Sequence, residues 1–555
     1  MNQTNTLRPK LFQVMKSYSK EQLVKDVIAG IIVAIIALPL SIALALASGV
    51  GPEQGIYTAI IAGFLISFLG GSRVQIAGPT AAFATIVAGI IAQKGMDGMI
   101  IATVLAGIFL ILMGVFRLGT LIRFIPFTIT TGFTAGIAVT IFLGQIKDFM
   151  GLTYPEGTKA VETMEKVMAM IENISTVNVQ AVIVGAVCLL ILIVWPKISE
   201  KIPGSLIAVI VGILMVKILK MHVNTIGDLY TISSSLPTFH MPHITIGAIR
   251  QGIPDGFTIA ILAAIESLLS CVVADGMIND KHNSNMELVA QGVGNIGSVL
   301  FGGIPATGAI ARTAANIKNG GRSPIAGCVH SITLVLVLVL LMPYAALIPM
   351  PTIAAILFMV AYNMCGWRTF VSLVKKAPKS DIIVLVATFL LTVVFDLVVA
   401  IEFGMIVACI LFVKRMSEEA SVKGWKYYGQ NGEEDVDAAH LRNIPDAVRV
   451  YEVTGPLFFG VADMISNITL KKFTKVLIIR MRGVPAVDAT AMKALEGLMD
   501  NCEKHGVTLI FSHVNEQPYH VMEHGGFVNR IGEENFCAHL DEALERADYI
   551  LKGGF

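Results

Sequence analysis

The feature that most constrains this chain is a succession of apolar segments, each close to the length needed to cross a bilayer, running with few interruptions from Val27 to about Val413. A water-soluble fold has no interior large enough to hide them all. The composition agrees: 55% of the 555 residues are hydrophobic and only 15% are charged, with a mean hydropathy of +0.73. The formal net charge is +1, which gives no field suited to nucleic acid or to polybasic attachment at a membrane surface. Integration into a lipid bilayer is the reading that remains.

About fourteen segments can be delimited, at 27–47, 54–70, 79–93, 97–116, 120–143, 179–195, 203–219, 254–275, 287–302, 306–318, 324–342, 348–365, 381–396 and 398–415. Charge tests the count, because cytoplasmic connectors collect Lys and Arg. From a cytoplasmic N-terminus, the connectors expected inside hold Arg73, Arg117, Arg123, Lys197, Lys201, Lys281, Lys318, Arg322, Arg368, Lys375, Lys376 and Lys379. Of those expected outside, 49–55, 301–305, 342–351 and 395–399 have no Lys or Arg, and 93–98 has only Lys94. Residues 1–26 are basic and lack an apolar core, so they read as a cytoplasmic end rather than a signal peptide. The expected organisation is therefore a segment 1–26, a multi-pass domain 27–415, a polar linker 416–446 and a cytoplasmic domain 447–555, with both termini cytoplasmic. In the last part, strand-like and helix-like stretches alternate, as in a small α/β domain.

Two segments are short and follow glycines. Val74–Phe83 contains Gly78-Pro79-Thr80, and Phe301–Ile310 contains Gly302-Gly303-Ile304-Pro305. Each reads as extended chain breaking into a helix, with Pro79 and Pro305 in the first turn, where a missing N–H costs nothing. They lie seven segments apart. Corresponding interrupted segments of this kind, in two inverted repeats of seven, point to a midplane site with both helix N-termini aimed at it. A simple Gly/Pro kink in a span is the alternative.

Among ionisable residues, Glu266 stands out in the middle of the eighth segment, beside Ser267 and Ser270. A carboxylate at that depth costs roughly 2.5–3.5 kcal/mol on insertion scales, so it marks a function by default. Carrying a proton is the functional reading and a fixed interhelical hydrogen bond the structural one. Arg312, in the tenth segment, is a cation set among apolar residues, where it and two helix ends would form an anion site without a metal. Alternatively it snorkels to the membrane edge beside Lys318. Asp275, Asp396 and Glu402 read as interfacial, and Lys147 with Asp148 as a local ion pair. No P-loop and no Gly-x-Ser-x-Gly elbow occurs. His520-Val-Met-Glu-His524 fits a short zinc pattern but has too little chain after it to supply a third ligand in a supporting fold. Seven cysteines without Cys-x-x-Cys spacing indicate neither a disulfide framework nor a zinc knuckle. The chain is read as a carrier, not an enzyme, with no cofactor.

Three stretches then become recognisable: Asp26–Pro39, Gly51-Pro-Glu-Gln-Gly-Ile-Tyr57, and Gly70-Gly-Ser-Arg-Val-Gln-Ile-Ala-Gly-Pro-Thr80. They resemble the signature region of the SulP/SLC26 anion transporters, and the C-terminal part resembles the STAS domain that closes most members. The resemblance implies fourteen segments divided into core and gate domains, an elevator-like movement, and a homodimer in the cell membrane. It places the anion at Thr80, Ala81, Ala82 and Phe83 and at Thr307, Gly308, Ala309 and Ile310, with Arg312 as the basic position. Glu266 matches an acid that is Glu in proton-linked members and Asp in sodium-linked ones. Ala264–Leu269, Lys281–Gly292 and Ala309–Asn316 look nearest to C4-dicarboxylate carriers, which implies succinate, fumarate or aspartate. Bicarbonate or sulfate, with sodium coupling, is the alternative, and a sensor without flux a third reading. The STAS domain implies a cytoplasmic protein partner. It departs from the phosphorylated Asp-Ser-Ser-Gly pattern in having Asp488-Ala489-Thr490-Ala491, so Asp488 reads as a plain helix cap, with phosphorylation of Thr490 the alternative.

Overall fold

The computed structural model describes residues 7–553 apart from 121–125, 156–162, 200–202, 243–244, 396, 426–443, 460–463, 466–467, 469 and 471–472. It divides into two compact units, Met1–Met405 and Ile406–Phe555.

In the first unit the apolar segments are helices. A short α1 (Lys10–Val14) precedes α2 (Lys20–Ala47) and α3 (Pro52–Leu69), and a two-residue strand β1 (Ala77–Gly78) leads into α4 (Ala81–Val115). Then come α5 (Phe127–Met150), α6 (Thr163–Glu172), α7 (Val179–Ile198), α8 (Gly204–Ile218), α9 (Ile226–Leu229), α10 (Ile246–Ile278) and α11 (Ser284–Leu300). A second two-residue strand, β2 (Thr307–Gly308), leads into α12 (Ile310–Lys318). The unit is completed by α13 (Ile325–Ala345), α14 (Met350–Cys365), α15 (Trp367–Lys376), α16 (Lys379–Val394) and the start of α17 (Leu397–Glu419). Among the described residues, eight helices are long and apolar enough to span a bilayer on their own.

The expected third and fourth segments are joined end to end in α4, which breaks at Gly95. There φ is +71°, a conformation glycine adopts without a Cβ clash. Beside the break, Lys94 forms an ion pair with Asp255 of α10. The helices sort into two bundles. α4 packs on α10 and α11, and α13 packs on α2 and α3, around β1, β2 and α12. α5 packs on α14 and α16, and α7 packs on α8 and α14. Polar expectations are partly redistributed. Lys147 lies over the Tyr154 ring at 4.7 Å, and its charge also acts on the neighbouring Asp148. Asp275 accepts hydrogen bonds from His282 at its backbone N (2.9 Å) and is 2.7 Å from its Nδ1. Asp396 and the side chain of Glu402 lie outside the described residues.

The second unit is a five-stranded sheet ordered β3 (Ser421–Trp425), β4 (Val448–Thr454), β5 (Val476–Gly483), β6 (Thr508–Ser512) and β7 (Phe536–Cys537). β3 is antiparallel to β4 and the remaining pairs are parallel. Alternation along β5 explains the layering: Leu477, Ile479 and Met481 enter one apolar core, and Val476 and Ile478 enter another. The helix Ala489–Lys504 contributes Ala491, Met492 and Leu495 to the first core. The C-terminal helix Leu540–Leu551 contributes Ala543, Leu544 and Ala547 to the second.

The segment 416–446 differs from the linker expected there. α17 continues through Glu419, aided by an exposed Lys414–Glu418 pair one helical turn apart (3.8 Å). Ser421–Trp425 then forms an edge strand, because its backbone finds partners on β4 from Val450 to Thr454.

Candidate functional site

The two short strands meet. β1 and β2 are antiparallel, with Ala77 opposite Gly308 and Gly78 opposite Thr307, and the Ala309 N–H donates to the Ile76 carbonyl at 2.9 Å. From this crossing α4 and α12 begin, so two helix N-termini open beside one another. Neither is closed by a side-chain cap. The first N–H groups of each helix lack intrahelical acceptors and carry partial positive charge, which is what an anion requires.

The two prolines play different parts, contrary to the symmetrical expectation. Pro79 lies just before the N-cap Thr80, so it adjoins the helix without entering the first turn expected for it. Pro305 lies upstream of β2, and α12 begins only at Ile310. The chain after Pro305 stays extended because Asn295 holds Ala306 at both polar atoms, accepting from its N–H and donating to its carbonyl at 2.8 Å each.

Thr80 is an N-cap residue whose hydroxyl does not cap its own helix. It donates instead to Oε2 of Glu266 at 2.9 Å. The carboxyl is thereby joined to the mouth of α4. Ser267 and Ser270, expected beside the carboxyl as partners, are occupied elsewhere. The Thr307 hydroxyl donates to the Ala263 carbonyl at 3.1 Å, so the proton between Ser267 and Thr307 (2.7 Å) comes from Ser267. Ser267 also accepts the Gly308 N–H at 3.2 Å. Ser270 donates to Thr313 Oγ1 at 3.5 Å, which in turn accepts the Ile76 N–H at 3.0 Å. These hydroxyls fasten the strand crossing to α10.

Arg312 is 1% exposed, so it does not reach the membrane edge beside Lys318. Its Nη2 donates to Ser41 Oγ (3.3 Å) and to the Pro79 carbonyl (3.2 Å). The guanidinium lies behind the crossing, and a Cβ at Gly78 would collide with its Nη1. Arg312 therefore adds positive potential next to the N-terminus of α4 from within the protein. In the first turn of α4, Ala82 and Phe83 are fully buried and Ala81 nearly so. Thr80 and Ala309 are half-buried and Ile310 is exposed, so these three line the accessible side.

Three buried polar residues escaped the sequence reading. Glu287 accepts from the Gly71 N–H (2.9 Å), the Ser72 N–H (3.1 Å), Gln75 Nε2 (3.0 Å) and Gln291 Nε2 (3.0 Å), fixing the chain that leads into β1. Asn295 does the same for β2, and Asn316 Nδ2 donates to the Val74 carbonyl at 2.9 Å. For Glu287 and Asn295 the signal was a cluster of Asn, Gln and Glu between 283 and 295 within an otherwise apolar segment. In the second unit Asp488 caps the helix Ala489–Lys504, accepting from the Ala491 N–H at 2.8 Å. His520 and His524 share an exposed helix face with ring centroids 6.4 Å apart.

This architecture has relatives. The profile of the sulfate permease family matches residues 23–388, and that of the STAS domain matches residues 439–543. The putative sulfate transporter YvdB of Bacillus subtilis is 40% identical, over 95% of this chain and 98% of its own length. The bicarbonate transporter BicA of Picosynechococcus is 29% identical, over 86% of each chain. Among solved structures, the murine Slc26a9 anion transporter has the same fold with a TM-score of 0.87, at 19% identity over 98% of this chain and 94% of that one. The transmembrane domain of a cyanobacterial BicA gives a TM-score of 0.62 at 27% identity, covering 70% of this chain and 98% of that one. The chain belongs to the sulfate permease (SulP/SLC26) family, and is a multi-pass membrane anion transporter with a C-terminal STAS domain.

Proposed function

We propose that the protein is a secondary carrier of a small inorganic oxyanion, sulfate or bicarbonate, held between the N-termini of α4 and α12, with Glu266 carrying a coupled proton. The observation that bears most weight is the Thr80–Glu266 hydrogen bond (2.9 Å) at the mouth of an uncapped helix whose other neighbour is the buried Arg312. Thr80, Ala81, Ala82 and Phe83 on one side and Thr307, Gly308, Ala309 and Ile310 on the other form the anion site. A proton on Glu266 removes a negative charge from the edge of that site, which favours the anion's arrival. A glutamate rather than an aspartate at this position supports protons over sodium.

The dicarboxylate reading rests on three stretches of sequence, whereas YvdB and BicA are named for sulfate and bicarbonate. Those names favour the inorganic anions, and sulfate first, from the more similar relative. The division into two helix bundles supports alternating access by movement of one against the other. Assembly as a homodimer in the cell membrane, with both termini cytoplasmic, completes the proposal, and the STAS domain is the surface for a cytoplasmic protein partner.

The test is uptake of labelled sulfate and bicarbonate into proteoliposomes at two external pH values, with and without sodium, in the presence of succinate or fumarate as competitors. Acid-stimulated uptake of an inorganic anion, indifferent to sodium and to dicarboxylates, is expected. Sodium stimulation would move the coupling away from protons. Dicarboxylate uptake would restore the other substrate class. Anion binding without flux would leave a sensor.

A further inference from the structure

Away from the strand crossing, an open cleft of about 320 Å³ is lined by Ser17, Tyr18, Ser19, Gln22, Arg73 and Arg322. It lies where α1 and the start of α2 meet two connectors, the one leading to β1 and the one that follows α12. Its polar groups are unevenly used. Among the described residues Arg73 makes no hydrogen bond, and its one ion-pair partner is Asp280, 3.8 Å from Nε. Arg322 uses Nη1 for the Ile317 and Gly321 carbonyls at 2.7 Å each, which leaves Nε and Nη2 as donors. Ser19 accepts the Gln22 N–H at 3.1 Å, and so keeps its own proton to give.

The neighbouring acids are already matched. Asp280 is also bound by Lys10 at 3.2 Å. Asp26 is fully buried and accepts from Tyr18 Oη, Gln22 Nε2, the Arg322 N–H, the Ser323 N–H and Ser323 Oγ. Two guanidinium groups and a hydroxyl therefore converge on a cleft with no free carboxylate. Planar, forked donors of this kind fit the oxygens of phosphate.

The surroundings place the cleft at lipid-headgroup level. Leu7, Phe12 and Met15 around α1 are exposed, and so are Leu23, Val24 and Ile28 on α2. With Lys10 and Lys16 between them, this is the pattern of a segment lying in a membrane interface. Lys10 fastens it, through its N–H to the Gly70 carbonyl and its Nζ to the Lys281 carbonyl, both at 2.9 Å.

We propose that the cleft between Arg73 and Arg322 is a binding site for a phosphate group, supplied by an anionic lipid headgroup or by a soluble phosphate. Arg73 precedes β1 and Arg322 follows α12, so a bound phosphate ties together the outer ends of the two segments that form the anion site. It is separate from that site and does not depend on the transported substrate.

The experiment uses the full-length protein in nanodiscs of phosphatidylcholine alone or with phosphatidylglycerol, and reads thermal unfolding together with lipid retained in native mass spectrometry. A second arm titrates inorganic phosphate into the phosphatidylcholine discs. One of the two ligands is expected to raise the unfolding temperature saturably, as a ligand specific to the folded state must. The double variant Arg73→Gln/Arg322→Gln is expected to weaken that effect about tenfold or more, and Arg73→Lys/Arg322→Lys to keep part of it. A shift from phosphatidylglycerol only identifies a lipid site, and a shift from inorganic phosphate a soluble one. No shift from either ligand, or an equal shift in the double Gln variant, overturns the proposal. The single variant Arg73→Gln guards against misfolding, because Arg73 makes no hydrogen bond whose loss would unfold the protein.

Discussion

The Thr80 hydroxyl donates to Glu266 Oε2 at 2.9 Å, across 186 residues of sequence, and so ties the mouth of α4 to the one carboxyl in the middle of α10. A protonated Glu266 can still accept this bond on its unprotonated oxygen, but it no longer places a full negative charge beside the helix N-terminus. Acidification is therefore expected to raise uptake, since the protonated fraction grows as pH falls. Glu266→Gln fixes the neutral state, so uptake should lose its dependence on pH while anion binding survives. Thr80→Val should keep a pH dependence, since Glu266 still titrates, and lower uptake about fivefold, through loss of a neutral hydrogen bond worth about 1 kcal/mol. Uptake into proteoliposomes across a pH series checks both. An undiminished pH response in Glu266→Gln would remove the residue from the coupling step.

Arg312 acts through its charge and through one nitrogen of its guanidinium. Its Nη2 spans Ser41 and the Pro79 carbonyl, while the charge lies behind the α4 terminus. Arg312→Gln removes the charge and should weaken the apparent affinity for the anion by at least about tenfold. Arg312→Lys keeps a charge but as a compact ammonium on a different stem, which does not reach Ser41 and the Pro79 carbonyl in the same geometry, so an intermediate loss is expected. The concentration dependence of uptake measures both. Wild-type affinity in both variants would mean that the helix ends suffice without the cation.

The packing of Gly78 makes a prediction about stability. A Cβ there would collide with Arg312 Nη1, whereas one at Gly89 meets nothing within 4 Å. Gly78→Ala should cost about 1–3 kcal/mol, as overpacking does, with a parallel loss of flux. Gly89→Ala should stabilise α4 by up to about 1 kcal/mol. Thermal unfolding of the purified protein distinguishes them, and equal effects would show that the strand crossing is looser than its geometry implies.

Much of this was legible in the sequence because the bilayer enforces it. Hydropathy located the spans, since every one must satisfy its backbone internally and present apolar side chains to lipid. The paired breaks at Gly78-Pro79 and Pro305 were visible as exceptions to that rule. What the sequence could not show is which polar groups find one another at a distance. Glu287 serves Gly71 and Ser72, and Asn316 serves Val74, across more than 200 residues. For the same reason Ser267 and Ser270 were expected beside Glu266. A helical wheel orders them about the axis but does not reveal that Thr307 and Thr313 compete for their hydroxyls. Edge strand β3 was missed because a short, polar, glycine-containing segment becomes a strand only when a partner's backbone is offered.

In the STAS domain, Asp488 performs two tasks with one carboxylate. Oδ1 accepts the Ala491 N–H at 2.8 Å and caps the helix Ala489–Lys504, while Oδ2 accepts the Phe459 N–H at 2.9 Å and holds the preceding loop. Asp488→Ala should therefore destabilise the domain by about 1 kcal/mol for the cap and somewhat more for the loop. Asp488→Asn should recover most of the cap, because an amide oxygen accepts the same N–H. Hydrogen exchange in the full-length protein provides the measurement. Faster exchange is expected at the first turn of the helix and at residue 459 in Asp488→Ala, with the spans unaffected. Ala489, the first residue of that helix, has no hydroxyl to phosphorylate, so the cap stands as a fixed part of the fold. A phosphorylated peptide recovered from Ala489–Met492 in cells would place the modification on Thr490 and make this turn a switch, since a phosphate beside Asp488 sets two negative charges against each other at one helix end.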